Sequence, residues 1–188
     1  MPKLLFIAYI LLFAICAIEP FDRAVWWAEN LPVIVVVAAI AISHRFHHYS
    51  KLAFAFMAIF ITLHTIGGHY TFERVPFDWF SDIFGFERNH YDRISHFSVG
   101  FYAYPIAEIL YRNKLVNSNW ILYLFPLFSI ISVAGVYELF EWQYAISADP
   151  EAGIAVLGSQ GDIWDAQKDI LADTLGAVFA LAVFKMKK

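Results

Sequence analysis

The chain has 188 residues, of which 60% are hydrophobic and 19% aromatic, and a formal net charge of −4. At a mean hydropathy of +0.58 it has too little polar surface to cover a water-soluble globule. It therefore reads as an all-α, polytopic transmembrane bundle of about six helices, a single membrane domain over residues 1–188. The acidic balance and the lack of a long basic run exclude nucleic acid as a partner, leaving membrane lipids as the expected surroundings.

Six apolar stretches follow in chain order. The first, Leu4 to Ile18, reads as a mature helix rather than a signal peptide, because only Lys3 precedes it and no small-x-small site stands before Glu19 and Pro20. Cys16, the single cysteine, reads as apolar filler and permits no intramolecular disulfide. The second, Leu31 to Ser43, is short for a span of about 20 residues, with Pro32 at its start and Trp26 and Trp27 at the interface. The third, Leu52 to Ile66, ends at Gly67 and Gly68. The connection Tyr70 to Tyr91 is dense in aromatics and is expected to lie on the membrane interface. The fourth and fifth stretches are Ile94 to Leu110 and Trp120 to Phe140. The loop Tyr144 to Gly161, punctuated by Pro150, Gly153, Gly158 and Gly161, leads to the sixth, Ile170 to Phe184.

Lys and Arg in the connections set the expected orientation. With both termini cytoplasmic, Lys3, Arg45, Lys51, Arg112, Lys114, Lys185, Lys187 and Lys188 lie inside, and Arg23, Arg74, Arg88, Arg93 and Lys168 outside. In this arrangement every Asp and Glu except Glu108 falls in the outer half.

Charges within spans are costly and need partners or a task. Asp92 and His96 are spaced one turn apart on the fourth helix, Glu138 and Glu141 share a face of the fifth, and Asp165, Asp169 and Asp173 follow a four-residue register on the sixth. At the usual rise, Asp173 lies roughly 12 Å deeper than Asp165. His64 and His69 belong to the same level, sharing a face only if Gly67 and Gly68 break the helix. Arg93 and Lys168 supply two cations against this surplus of acid, which leaves protons or a divalent metal to balance it. Mixed His and carboxylate ligands suit Zn, Mn or Fe, and Mg less well. Other polar residues read as structural: Asp162 and Glu151 as solvated acids, Glu108 and Arg112 as a helix-surface pair, and His44, His47 and His48 as a basic patch on anionic lipid.

Three segments, N-H-Y-D-R-I-S-H-F at Asn89 to Phe97, Y-E-L-F-E-W at Tyr137 to Trp142 and L-G-S-Q-G-D-I-W-D-A-Q-K-D at Leu157 to Asp169, resemble the YjdF family of uncharacterised bacterial inner-membrane proteins. More distantly, Asp92, His96 and Phe97, the helix-five acid pair, and Asp169, Asp173 and Gly176 resemble VanZ-like proteins, linked to glycopeptide-antibiotic resistance. This chain departs from the VanZ-like pattern by Arg93 for the usual Lys, Glu141 for Gln and Asp173 for Asn, which makes its cluster more acidic. The resemblance implies a polytopic helical fold in the bacterial inner membrane and supplies no activity.

The expected function is a metal-dependent hydrolase acting on a lipid-linked or cell-envelope substrate at the outer leaflet. Asp92, His96, Glu138, Glu141, Asp169 and Asp173 are its candidate catalytic groups, and all of these but Asp173 are also candidate metal ligands, with His64 and His69 as weaker ones. Arg93, Lys168 and Gln167 are candidates for binding the substrate headgroup. The alternatives are a proton- or cation-coupled transporter and a non-catalytic envelope binding or assembly protein with a structural ion site.

Overall fold

The computed structural model describes residues 3–188, which form nine α-helices and one 3-10 turn, with no strand among the described residues. Six segments build the bundle: α1 (Lys3–Cys16), α2 (Arg23–Ser43), α3 (Lys51–Tyr70), a broken helix, α7 (Asn119–Ser147) and α9 (Asp165–Lys187). The broken helix consists of α5 (Tyr91–Val99), the 3-10 turn Gly100–Tyr102 and α6 (Ala103–Arg112). Two short helices, α4 (Asp78–Phe84) and α8 (Pro150–Leu157), occupy the long connections at the acidic end. Helices α2, α3 and α7 are long and apolar enough to cross a membrane, and α1 is apolar over 14 residues. Large apolar side chains stay exposed along the bundle, among them Leu4, Ile7 and Leu11 of α1 and Phe125, Phe128 and Leu139 of α7. A face of that kind needs lipid, since no soluble monomer leaves so much apolar surface in water.

Several boundaries differ from the sequence reading. Helix α2 begins at Arg23, well before Leu31, because the Asp22 carboxylate caps it by accepting from Ala24 N at 2.7 Å and Val25 N at 2.9 Å. Pro32 thus lies inside the helix rather than at its start. The carbonyl it leaves unpaired is tolerable in a membrane helix supported by neighbours. The second span is therefore not short, and Glu29 and Asn30, which read as connection, become buried helix positions.

Gly67 and Gly68 do not break α3, which runs on to Tyr70 and ends at Thr71 in the left-handed conformation. They serve close packing instead. A Cβ on Gly67 would come within 2.3 Å of the Phe72 ring, and one on Gly68 within 2.8 Å of Asn30 Nδ2 and 3.0 Å of Glu29 Cβ. Pro150, expected to punctuate a loop, is the first residue of α8, behind the Asp149 cap that accepts from Ala152 N. The aromatic connection contains α4, which leaves Trp79, Ile83 and Phe84 exposed.

A close backbone approach between two helices builds the site. A Cβ on Gly100 would stand 2.2 Å from Ala177 N and 2.3 Å from Asp173 O, and a Cβ on Gly176 would stand 1.9 Å from Phe97 O. Two facing glycines therefore let the turn Gly100–Tyr102 and the end of α5 touch the backbone of α9.

Candidate functional site

That contact brings the two acid and histidine registers together. His96 Nδ1 lies 3.3 Å from Asp173 Oδ2, while Nε2 lies 3.6 Å from Asp92 Oδ1 and 3.7 Å from Asp169 Oδ1. All four side chains are buried. One ligand atom from each of Asp92, His96 and Asp169 falls within 4.8 Å of the others. When Asp173 accepts a proton from Nδ1, Nε2 is the nitrogen left facing the two remaining carboxylates, where it would be free to ligate a cation. This is how a carboxylate behind a histidine orients it toward a metal.

An ionic layer covers this cluster. Arg93 donates to both Asp169 Oδ1 and Asp165 Oδ1, and lies 3.5 Å from Asp162 and 3.9 Å from Asp92. Arg88, which the sequence reading did not single out, donates to Asp165 at 2.7 Å and approaches Asp162 at 3.6 Å. The connections are tied across the same level by Asn89 and Gln160. The Asn89 backbone N–H donates to Gln160 Oε1 at 2.9 Å, and Gln160 Nε2 returns a bond to Asn89 O at 3.0 Å. Asp162 is not a free solvated acid. The Lys168 ammonium at 2.6 Å and the Trp164 backbone N–H hold its carboxyl below the usual range. Nearby, burial and then the cations of Arg88, Arg93 and Lys168 lower the affinity of His90 for a proton.

The other candidates are placed differently. Arg93 faces carboxylates rather than open headgroup space, Lys168 is engaged by Asp162, and Gln167 is exposed. Glu138 and Glu141 stay outside the Asp92, His96 and Asp169 triangle, although both lie within electrostatic range of His96 and Asp92. Oε1 of Glu138 is buried without a partner. His64 and His69 do not share a face, because α3 is unbroken. His69 Nδ1 bonds Cys16 O at the end of α1, at 2.9 Å. His64 Nε2 meets Glu29 through its backbone oxygen at 3.1 Å and its carboxylate at 3.2 Å. The Tyr137 hydroxyl donates to the same carboxylate at 2.7 Å. Glu29 went unnoticed because Asn30 and Pro32 beside it look like loop chemistry; the capping Asp22 was the available signal.

Between the two polar groups opens a cavity of about 410 Å³. His96, Ser95 and Asp173 line one wall at its polar end, and His64 and Tyr137 another. From there it runs between α2 and α7, past Val36, Ile40 and Ile130, to Ser43 and Tyr49 near the basic end. At that end two residues sit otherwise than their spacing suggests. Glu108 is buried rather than on the helix surface, receiving the Ser50 backbone N–H at 2.8 Å and His47 Nε2 at 3.3 Å. His47 is accordingly a buried partner, not part of a lipid-facing patch, and its Nδ1 meets Asn113 Oδ1 at 3.3 Å.

The chain matches, over residues 1–188, the family described as "Predicted membrane protein (DUF2238)". It belongs to that family. It is also 31% identical to "Inner membrane protein YjdF" of Escherichia coli (strain K12) over 163 residues, covering 86% of this chain and 78% of the relative. The relationship thus extends well beyond the three segments that first suggested it. No solved structure matches this DUF2238 member. It is an integral membrane protein of the YjdF group.

Proposed function

We propose that this protein is an inner-membrane enzyme that uses a divalent cation held by Asp92, His96 and Asp169 to hydrolyse a lipid-linked or cell-envelope substrate. The observation that carries the reading is the fixing of His96 by Asp173, which directs Nε2 at two carboxylates. Three such ligands suit Zn, Mn or Fe and leave a coordination position for water or substrate. Arg93 shares Asp169, but its second partner Asp165 keeps the guanidinium compensated when a cation takes that oxygen. Glu138, with an unpartnered buried oxygen, is the proposed general acid/base. A proton-coupled carrier would need titratable groups through the whole depth, whereas the cavity wall between Asp173 and Tyr49 is chiefly apolar.

The test is bound metal and thermal stability, with and without chelator, in detergent-purified wild type, Asp169→Asn and His96→Ala. Stoichiometric Zn, Mn or Fe in wild type, lost from both folded variants, is the expected result. No metal, together with wild-type stability unmoved by chelator, would remove the metalloenzyme reading. The acidic end is proposed to face outward, with both termini cytoplasmic, on the Lys and Arg bias. In a Cys16→Ala background, impermeant thiol reagent on whole cells should label Ser81→Cys and spare Ser50→Cys; the reverse pattern would invert the topology.

A further inference from the structure

The cavity deepens this reading, because it specifies the substrate class of the same site. Its lining is apolar for most of its length and its few polar groups are not equivalent. At the far end Tyr49 donates to Ser43 Oγ at 2.8 Å, Ser43 Oγ donates to Ile40 O at 3.1 Å, and Ser129 donates to Phe125 O at 2.8 Å. These hydroxyls have partners within the protein. At the near end, Ser95 Oγ and Asp173 Oδ1 are buried without any, in residues only 2% and 1% exposed. Orphaned buried polar atoms are unfavourable, so this pair marks the polar end of the cavity as the end left incomplete by the protein itself.

The cavity is also reached from the side. Ala39 of α2 and Val133 of α7 both line it and both are exposed, Val133 by 58%. The surface around them is the apolar belt of the bundle, so the opening faces hydrocarbon and admits a molecule already dissolved in the bilayer. From Pro32 to Ser43 the α2 wall is about 16 Å long at the usual rise, close to the depth of one leaflet, half of the roughly 30 Å hydrocarbon core. A volume of about 410 Å³ is at the small end for ligand pockets and suits one chain rather than two.

We infer that the cavity binds a single-chain glycerolipid of the lysophospholipid type, its acyl tail toward Tyr49 and its hydroxyl and ester at Ser95 and Asp173. The lipid's polar end then lies at the end of the cavity where Ser95 Oγ and Asp173 Oδ1 lack protein partners. This places the ester within reach of the His96 cluster. A diacyl lipid lacks that hydroxyl and brings a second chain for which the cavity has no room.

The test uses full-length protein in nanodiscs and lysophosphatidylglycerol with a diazirine near the end of its acyl chain, the adducts being mapped by peptide mass spectrometry. Diacyl phosphatidylglycerol and farnesol carrying the same photogroup are run beside it. Adducts should fall on the cavity wall around Ile40, Tyr49 and Ile130. They should be lost in Ala134→Phe and in Ala39→Phe, which fill the cavity from opposite walls, weakened in Ser95→Ala, and kept in Leu139→Phe on the outer face of α7. Either filling variant suffices if the other does not fold. Adducts spread over lipid-facing residues such as Phe125 and Phe128, adducts insensitive to filling, or equal labelling by the diacyl or isoprenoid probe would overturn the inference. Metal content measured on the same samples separates the two claims. Cavity adducts without metal remove the cation and leave the lipid site standing, and metal without cavity adducts does the opposite.

Discussion

The two ends of the bundle each bury a histidine against a carboxylate, and they differ in what is left over. At the basic end Glu108 Oε1 receives Ser50 N and His47 Nε2, with Arg112 3.6 Å away, and His47 passes its other nitrogen to Asn113. None of these four side chains holds a buried polar atom without a partner among the described residues. At the acidic end His96 has Asp173 on one nitrogen and Asp92 and Asp169 on the other, yet Asp173 Oδ1, Ser95 Oγ and Glu138 Oε1 remain unpaired. Saturation is the signature of a fastening, here of the α2–α3 turn onto α6. Unsaturation, beside a cavity open to hydrocarbon, is the signature of a site that completes itself with something else.

The largest expected effect comes from the contact that assembles the acidic end. Gly176→Val would drive a side chain into the Phe97 carbonyl, 1.9 Å from the Cβ position, where backbone rather than a flexible side chain must move. The cost should exceed the usual overpacking range of about 1–3 kcal/mol. Size-exclusion profiles and thermal melts in detergent should show loss of the folded species. A stable Gly176→Val protein would mean that α5 and α9 do not approach this closely.

The contrast between the ends is sharpened by removing one group from each. Glu108→Ala leaves His47 and Ser50 N without their carboxylate and should cost about 3–5 kcal/mol, with the acidic-end metal content unchanged. Ser95→Ala removes a hydroxyl that has no partner to lose and should leave stability in detergent unchanged or slightly raised. Melting curves of the two variants check both outcomes. Similar losses in both would erase the distinction drawn between the ends.

The smallest effect is electrostatic and confined to the connection before α9. Because Lys168 and the Trp164 N–H hold the Asp162 proton affinity down, the folded state favours the carboxylate. Its contribution is complete above the unfolded value, about pH 3.9, and is lost as pH falls through the lower folded value. The stability difference between wild type and Asp162→Asn should therefore be constant from neutrality to about pH 4 and close below it. Lys168→Met should narrow that window. A difference that grew with acidity would reverse the sign of the assignment.

What the sequence by itself determined was the solvent of this protein and the facing of its polar residues. Apolar runs demand a bilayer, and a period of 3.6 places Asp92 with His96, and Asp165 with Asp169 and Asp173, on single faces without any knowledge of neighbours. Boundaries were less legible. Glu29 and Pro32 looked like connection because polarity and proline signal a break, while the capping of Asp22 and the support of α3 carry the helix through them. Only the tertiary structure decided which faces meet and at what distance. Helical register sets angle and depth along one helix, but separation between helices depends on what stands opposite, and here two glycines, Gly100 and Gly176, bring His96 onto Asp173. The same holds for burial. Glu108 and Arg112 have the spacing of an exposed pair, and it is the arrival of His47 and Ser50 from the turn before α3 that makes Glu108 a core residue. The partners that Ser95 and Asp173 lack are likewise a property of the space between five of the bundle's segments, which no single helix encodes.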